Sequence, residues 1–502
     1  MPLDASTPDD ATAHNKRGIE LARGGQLQDA LAQFDKAVAL KPDYAEAYNN
    51  RALILQDLNR PDEALASLDR TLALTPDNAR AQNNRGAVLQ DLRRFEEALA
   101  AHDKALALNT AFAEAQYNKA TALHALNRFD EAISGFEKAI ALRPDYPEAY
   151  QNLGVTLQDD KRLEEAAAAY RKAIALRPGY AEAHSSLGFC ELQLGQFESG
   201  FRDYEWRKQL PGAPANRFFM RPEWRGETIT GKTLFVHWEQ GFGDTLQFCR
   251  FGKVSAARGI KTIMSVQQPL WGLLQQLRPA IDIIGHDAVP ATYDYHCSLM
   301  SFPGRLGIAA NTIPAEPHYI AADPVLSQTW SGRLSSQHAA STPRIGVAWS
   351  GSEKHKNDRN RSVSLKTLSP LFAADAHWVS LQKDVRAGDS AALAALPITP
   401  LGDALTDFAE TAALIDNLDL VITADTAVAH LAGAMGKPVW IMLTYYSDWR
   451  WFLDGETSPW YPSARLFRQD RSRSWENVVA RVGEAVHEFA RSPSPSSRTG
   501  PV

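Results

Sequence analysis

The sequence predicts a helical solenoid over its first two-fifths, followed by an α/β region of two doubly wound parallel sheets. Three observations carry this. A proline, an alanine and an asparagine each return on a 34-residue grid: Pro42, Pro76, Pro144 and Pro178; Ala30, Ala64, Ala98, Ala132 and Ala166; Asn50, Asn84, Asn118 and Asn152. Such a period with small residues at fixed phase marks stacked helical hairpins. The grid is lost between Pro211 and Gly231, in a stretch with three prolines and three glycines. Beyond it, short apolar runs alternate with helical ones, the pattern of a parallel sheet covered by helices.

In each repeat the first helix carries Gly or Ala at one phase (Gly18, Ala52, Gly86, Ala120, Gly154, Gly188), where a neighbouring helix must approach closely. The second helix carries Ala30 and its successors, then a larger residue four positions on: Phe34, Leu68, His102, Phe136, Tyr170, Tyr204. A following proline ends it, having no backbone N–H and constraining the residue before it. The features match tetratricopeptide repeats phased as 11–44, 45–78, 79–112, 113–146, 147–180 and a decayed sixth at 181–210, with Thr110 in place of the third proline. The sixth unit ends in Phe201, Tyr204 and Trp206 and reads as a cap docking onto the α/β region.

After a linker at 211–230, Thr233–Glu239, Lys261–Gln267 and Ile281–Gly285 read as strands of a first Rossmann-like half, 231–326. A polar stretch, Ser327–Pro343, separates it from a second half, 343–490, with strands Arg344–Gly351, His377–Lys383, Asp419–Asp425 and Pro438–Leu443. Two such blocks imply two domains facing a cleft. The Ser/Pro-rich tail, 491–502, reads as disordered.

Composition excludes several classes. The 502 residues are 44% hydrophobic and 22% charged, ordinary for a globular protein, and the net charge of −6 gives no basic stripe for nucleic acid. Cys190, Cys249 and Cys297 lie far apart, without zinc-ligand or disulfide spacing, so a reducing cytoplasm fits best. Neither a secretion signal nor an apolar membrane span is read. No Asp-x-Asp occurs, which speaks against a carboxylate pair for a divalent metal, and no Gly-x-x-x-x-Gly-Lys-Ser/Thr loop occurs.

The sharpest signal in the first half is Trp238-Glu239-Gln240-Gly241-Phe242-Gly243-Asp244, directly after a strand and opening a helix. Gly241 and Gly243 let the chain turn tightly and a ligand approach. Asp244 then stands at the helix start, as a cap or as a site carboxylate; Glu239 is a second loop acid. In the second half, Asp425-Thr426-Ala427-Val428-Ala429-His430 runs from a strand tip into a helix of small residues. Its first N–H groups suit a phosphate, Asp425 suits sugar hydroxyls and His430 a diphosphate oxygen. The other reading is a capped helix whose histidine packs on the sheet. Ser350 and Gly351 end a strand and enter a loop with Lys354, Lys356, Arg359 and Arg361, cations that suit an anionic leaving group or are simply solvated. Gln382 and Lys383 end the next strand and carry the same ambiguity. The stretch from Asp448-Trp449-Arg450-Trp451 to Trp460-Tyr461 offers stacking surfaces or core aromatics, with Trp451 and Trp460 read as core.

With these residues in hand, 231–490 resembles the heptosyltransferase-like glycosyltransferases of the GT-B fold, most specifically over Asp419–Gly436 with Pro438, then over Gly241–Asp244. The resemblance implies Asp244 as general base and Asp425, Thr426 and His430 as ligands of a nucleotide-sugar, with Gly241, Gly243, Ser350, Gly351 and Lys383 beside the donor. It implies no metal and no cofactor, the nucleotide-sugar being a co-substrate. Ala427 stands where heptosyltransferases usually have glycine, which speaks against a heptose donor. Repeats followed by such a domain are similar to bacterial tetratricopeptide-repeat glycosyltransferases, including those acting on flagellin, and in outline to O-GlcNAc transferase. The latter similarity implies a ladder, Asn50, Asn84, Asn118 and Asn152, that holds the backbone of a protein acceptor, modified on Ser or Thr. An asparagine amide both donates and accepts, so it pairs with peptide of any sequence. Two alternatives stay open: a repeat scaffold with an inactive α/β region, and transfer to a lipid-linked saccharide.

Overall fold

The computed structural model describes residues 10–213, 219–314, 316–335, 342–354 and 357–491. The chain forms two compact units, Met1–Leu187 and Gly188–Val502.

In the first unit, helix pairs recur at the sequence period: Ala11–Arg23 with Leu27–Leu40, Ala45–Asp57 with Pro61–Leu74, Ala79–Asp91 with Phe95–Leu108, Ala113–Ala125 with Phe129–Leu142, and Pro147–Asp159 with Leu163–Leu176. Small residues face large ones as the grid requires. A methyl group on Gly18 would lie 2.7 Å from the Phe34 ring, and one on Gly154 would lie 2.5 Å from the Tyr170 ring. The alanines of the grid, from Ala30 to Ala166, are fully buried. His102 takes the large position in the third repeat. Its buried ring meets Asn83 Oδ1 at 3.1 Å, and desolvation lowers its pKa to about 4.

The boundary between the units falls within the helix Ala181–Gln193. From Gly188 on, the sixth hairpin belongs to the α/β unit. Phe197 stacks on Phe452 and Trp460, with centroids 6.2 and 6.3 Å apart, and Phe201 lies edge-on to Trp449 at 5.8 Å. The aromatic residues that set this repeat apart thus enter the core of the α/β unit.

The second unit holds two all-parallel sheets. The first contains β1 (Thr233–His237), β2 (Lys261–Ser265), β3 (Ile281–Ile284) and β4 (Tyr295–Ser298), in the order β3-β2-β1-β4. The second contains β5 (Arg344–Ala348), β6 (His377–Ser380), β7 (Ile398–Pro400), β8 (Leu420–Ala424), β9 (Val439–Leu443) and β10 (Ala464–Arg468), in the order β10-β9-β8-β5-β6-β7. Its central strands are buried on both faces: Ile345, Val347 and Trp349 enter one core with Val478 and Val482, while Ala348 faces the other. The strand order reverses between β5 and β8, where Ala348 pairs with Thr423. That switch point is where open α/β sheets bind ligands, at the carboxyl ends of the strands.

Two segments differ from the sequence reading. Much of the polar stretch 327–343 is helix: Pro324–Ser335 packs on Phe408–Asp416, and Trp330 Nε1 donates to Glu410 at 2.7 Å. It reads as a linker because only Trp330 and Leu334 of this helix are buried. The stretch 211–230 also contributes to the core through Trp224, whose backbone N–H donates to His296 O at 2.8 Å. The tail from Ser492 lies outside the described residues.

Candidate functional site

The two motif segments meet. Helix Phe242–Phe248 packs along helix Ala427–Ala434, and the contact is closest at Gly243: a methyl there would fall 2.6 Å from Cδ2 of His430. Only glycine lets the imidazole lie against this backbone. The turn into the first helix passes through Gln240, in the left-handed region at φ 65°.

Asp244 caps its helix and pairs with a distant cation. Its Oδ2 accepts from the Gly241 N–H at 2.7 Å, closing the start of the helix, and its Oδ1 pairs with Arg450. Burial raises its pKa and outweighs the pull of Arg450. Arg450 comes from the turn Trp449–Trp451, is buried, and also donates to Asp448 Oδ1 at 2.8 Å. Its guanidinium lies 5.0 Å from the Trp449 ring and 5.2 Å from that of Phe248. Trp451 and Trp460 are core, as the sequence suggests, but the sequence assigns no role to the cation between the tryptophans. The only signal was a charge in an apolar run.

Thr426 caps its helix, its Oγ1 accepting from Val428 N at 3.3 Å, and the remaining first-turn N–H groups lie at the tip of β8. Asp425, at the same tip, is pushed up to about 6, first by burial and then by the charge of Asp448. His430 is buried and stacks on Trp451 at 5.3 Å. Its Nδ1 lies 3.0 Å from the Tyr461 hydroxyl. Burial, then the charges of Arg450, Arg250 and Arg361, hold its pKa well below the usual value, so it is neutral.

Of the basic loop, Arg361 reaches the site. Its Nη1 donates to Asp425 O at 3.2 Å and its guanidinium covers Gly351, linking the tips of β5 and β8. Ser350 is buried beside them, its N–H held by Gln382 Oε1 at 3.0 Å, and its hydroxyl has no hydrogen-bond partner among the described residues. Gln382 is thus a brace for the Ser350 turn. Lys383 is exposed and donates to Thr406 O at 3.2 Å, apart from this group. Arg359 lines an open cavity with Glu353, Asp358 and Arg386, apart from Asp244 and His430. Lys356 lies outside the described residues.

Glu239 is no solvated loop acid. It forms a double hydrogen bond with the buried Arg207 at 2.9 and 2.8 Å, and Arg207 also reaches Glu205, Ser298 and Ser301.

In the repeats, each ladder asparagine donates to the preceding repeat. Asn50 reaches Asn15 at 3.1 Å, Asn84 reaches Asn49 at 3.0 Å, Asn118 reaches Asn83 at 3.1 Å and Asn152 reaches the Tyr117 hydroxyl at 2.7 Å. One N–H of each amide is spent on stitching neighbouring repeats, which leaves the second N–H and the carbonyl oxygen for another partner.

Comparison with known proteins agrees with both parts. Tetratricopeptide-repeat models match residues 3–45, 15–79, 49–110, 120–161 and 159–195. Glycosyltransferase family 9 (heptosyltransferase) matches residues 401–480, which include Asp425, Thr426, His430 and Arg450 but not the Gly241–Asp244 loop. Protein FlbA of Caulobacter vibrioides is 29% identical over 331 residues, 60% of this chain and 54% of FlbA, so the chain spans about half the length of that relative. Among solved structures, the type IV pilus biogenesis factor PilW is 24% identical (TM-score 0.38; 40% of this chain, 92% of that one). YrrB, a TPR protein with an unusual peptide-binding site, is 27% identical (TM-score 0.30; 35% and 90%). The chain therefore combines tetratricopeptide repeats with a glycosyltransferase family 9 segment, the make-up of a tetratricopeptide-repeat glycosyltransferase.

Proposed function

We propose that this chain moves a sugar from a nucleotide-activated donor to a Ser or Thr hydroxyl of a protein acceptor that the repeats hold. The observation that carries the reading is the meeting of Gly243-Asp244 with His430, beside the tips of β5 and β8 and among three arginines. In the reaction the acceptor hydroxyl attacks the anomeric carbon and gives its proton to Asp244, while the bond from that carbon to the diphosphate oxygen breaks. A carboxylate whose pKa burial has raised is better matched to this task than an ordinary one. The departing diphosphate carries its charge to the first turn at Thr426, to Arg361 and to His430. Asp425 takes sugar hydroxyls, and the Ser350-Gly351 turn closes the donor side.

The acceptor side rests on the asparagine ladder, whose remaining amide groups suit peptide backbone. On family resemblance, flagellin is the acceptor to test first. We place the reaction in the cytoplasm, a compartment that suits three buried thiols; among the described residues no helix is long and apolar enough to cross a membrane.

The test is mass spectrometry of flagellin, and of a Ser/Thr peptide panel, after incubation with the full chain and a panel of nucleotide-sugars. A hexose- or hexosamine-sized mass gain is expected with the wild type and not with Asp244→Ala at unchanged circular dichroism. Full transfer by Asp244→Ala removes that residue as the base. A chain that binds no nucleotide or nucleotide-sugar is a scaffold, and the reading falls.

A further inference from the structure

Tyr461 lies 31 residues beyond His430, yet its hydroxyl stands 3.0 Å from the imidazole Nδ1, and both side chains are buried. The seat of each ring is cut to shape by a missing side chain. Tyr461 lies against Gly433, where a methyl would fall 2.5 Å from the phenol ring. His430 lies against Gly243, with Nε2 3.3 Å from where a methyl would stand, and its face stacks on Trp451 with planes 24° apart.

A neutral imidazole carries one proton, and the partner of one nitrogen decides which nitrogen has it. The charged groups bearing on His430 are Arg450, Arg250 and Arg361, and with burial they keep it neutral. Burial also pushes the Tyr461 phenol up to about 12, so the phenol keeps its proton, for which Nδ1 and the Tyr319 oxygen, whose own proton goes to Leu246 O at 2.8 Å, are the two acceptors. Were Nδ1 to hold the imidazole proton, the lone pair on Nε2 would face the leaving phosphate, acceptor against acceptor.

We propose that Tyr461 is a positioning residue for His430: its hydroxyl donates to Nδ1 and commits the imidazole to the Nε2–H tautomer, which offers an N–H to the departing diphosphate. The proposal rests on the donor-site reading above, and its first test is independent of that reading.

In the full chain labelled with ¹⁵N-histidine, long-range ¹H–¹⁵N correlations report the tautomer of each ring, and the His430 signals are identified by their loss in His430→Gln. The wild type should show the proton on Nε2 at pH 7.5. A wild-type proton on Nδ1 overturns the proposal, whatever the chain transfers. Tyr461→Phe keeps the ring that Gly433 seats and removes the hydroxyl alone. It should mix the tautomers and weaken binding of UDP, GDP, ADP or CDP, whichever the wild type binds by calorimetry, about tenfold. Unchanged tautomer and unchanged affinity in this variant also overturn the proposal. If the wild type binds none of the four, the donor-site reading fails, and the wild-type tautomer still decides the role of Tyr461.

Discussion

Replacing Asp425 by Asn should make the protein more stable at pH 8 while costing it donor affinity. The carboxyl sits at the tip of β8 with its pKa raised from 3.8 to about 6, by burial first and then by Asp448. At 1.36 kcal/mol per pH unit, holding it ionised in the folded state costs about 3 kcal/mol. Because the folded state binds the proton more tightly than the unfolded one, stability falls as pH rises through this window. The cost is nearly absent at pH 3.8, roughly half expressed at pH 5, and complete above the folded pKa. Asn cannot ionise, so the variant should gain about 3 kcal/mol over the wild type at pH 8 and roughly half of that at pH 5. Calorimetric melting of both proteins at the two pH values measures this, with a difference in midpoint of several degrees at pH 8. A variant that melts below the wild type at pH 8, or one with the same offset at both pH values, overturns this account of Asp425.

Three further outcomes are expected from the contacts. Arg450→Met leaves Asp244 and Asp448 without their shared cation and should cost about 3–5 kcal/mol in urea unfolding, part of it recovered when Asp244→Asn is added. Gly243→Ala puts a methyl against His430, so nucleotide affinity measured by calorimetry should fall at least about tenfold, with a stability loss of about 1–3 kcal/mol. Changing Asn84, Asn118 and Asn152 together to Ala should abolish acceptor-peptide binding and lose about 1 kcal/mol of repeat stability per site. Asn49→Ala, which removes only the partner of Asn84, should lose about 1 kcal/mol with binding kept; equal loss of peptide binding in both would make the ladder a stitch and nothing more.

The helical solenoid was legible because a 34-residue period forces each helix to present the same face. Buried central strands were legible for a similar reason: β1, β5 and β8 are apolar on both faces. The strands that sequence reading passed over, β4, β7 and β10, are all edge strands. An edge strand has one neighbour and needs no long apolar run, and Tyr295–Ser298 and Ile398–Pro400 supply none. At the candidate site, Gly243, Asp244, Asp425, Thr426 and His430 stood out because each motif joins a strand tip to a helix start, although a plain helix cap leaves the same local pattern. Arg450 did not, since its partnership with Asp244 spans 206 residues and leaves no local pattern. Tyr461 was hidden in the same way, among tryptophans that are core.

The α/β unit also supplies its own control for reading a buried charge cluster as a site. Arg207 and Arg450 are both buried arginines set between two acids. Around Arg207, charge and hydrogen bonds overcome burial: Glu205 is pulled down to about 2 and Glu239 is lowered. That network fastens the end of the sixth hairpin to the tips of β1 and β4. Around Arg450 the balance reverses. Burial prevails at Asp244 and Asp425, which are raised, while His430 is forced neutral among three guanidiniums. A cluster serving only to join two elements gains by pairing its charges as the first does. Arg450 is paired with Asp244 and Asp448, yet Asp244 and Asp425 stay above the ordinary carboxylate range, and a raised carboxylate beside a buried neutral imidazole suits the proposed reading, in which Asp244 takes a proton.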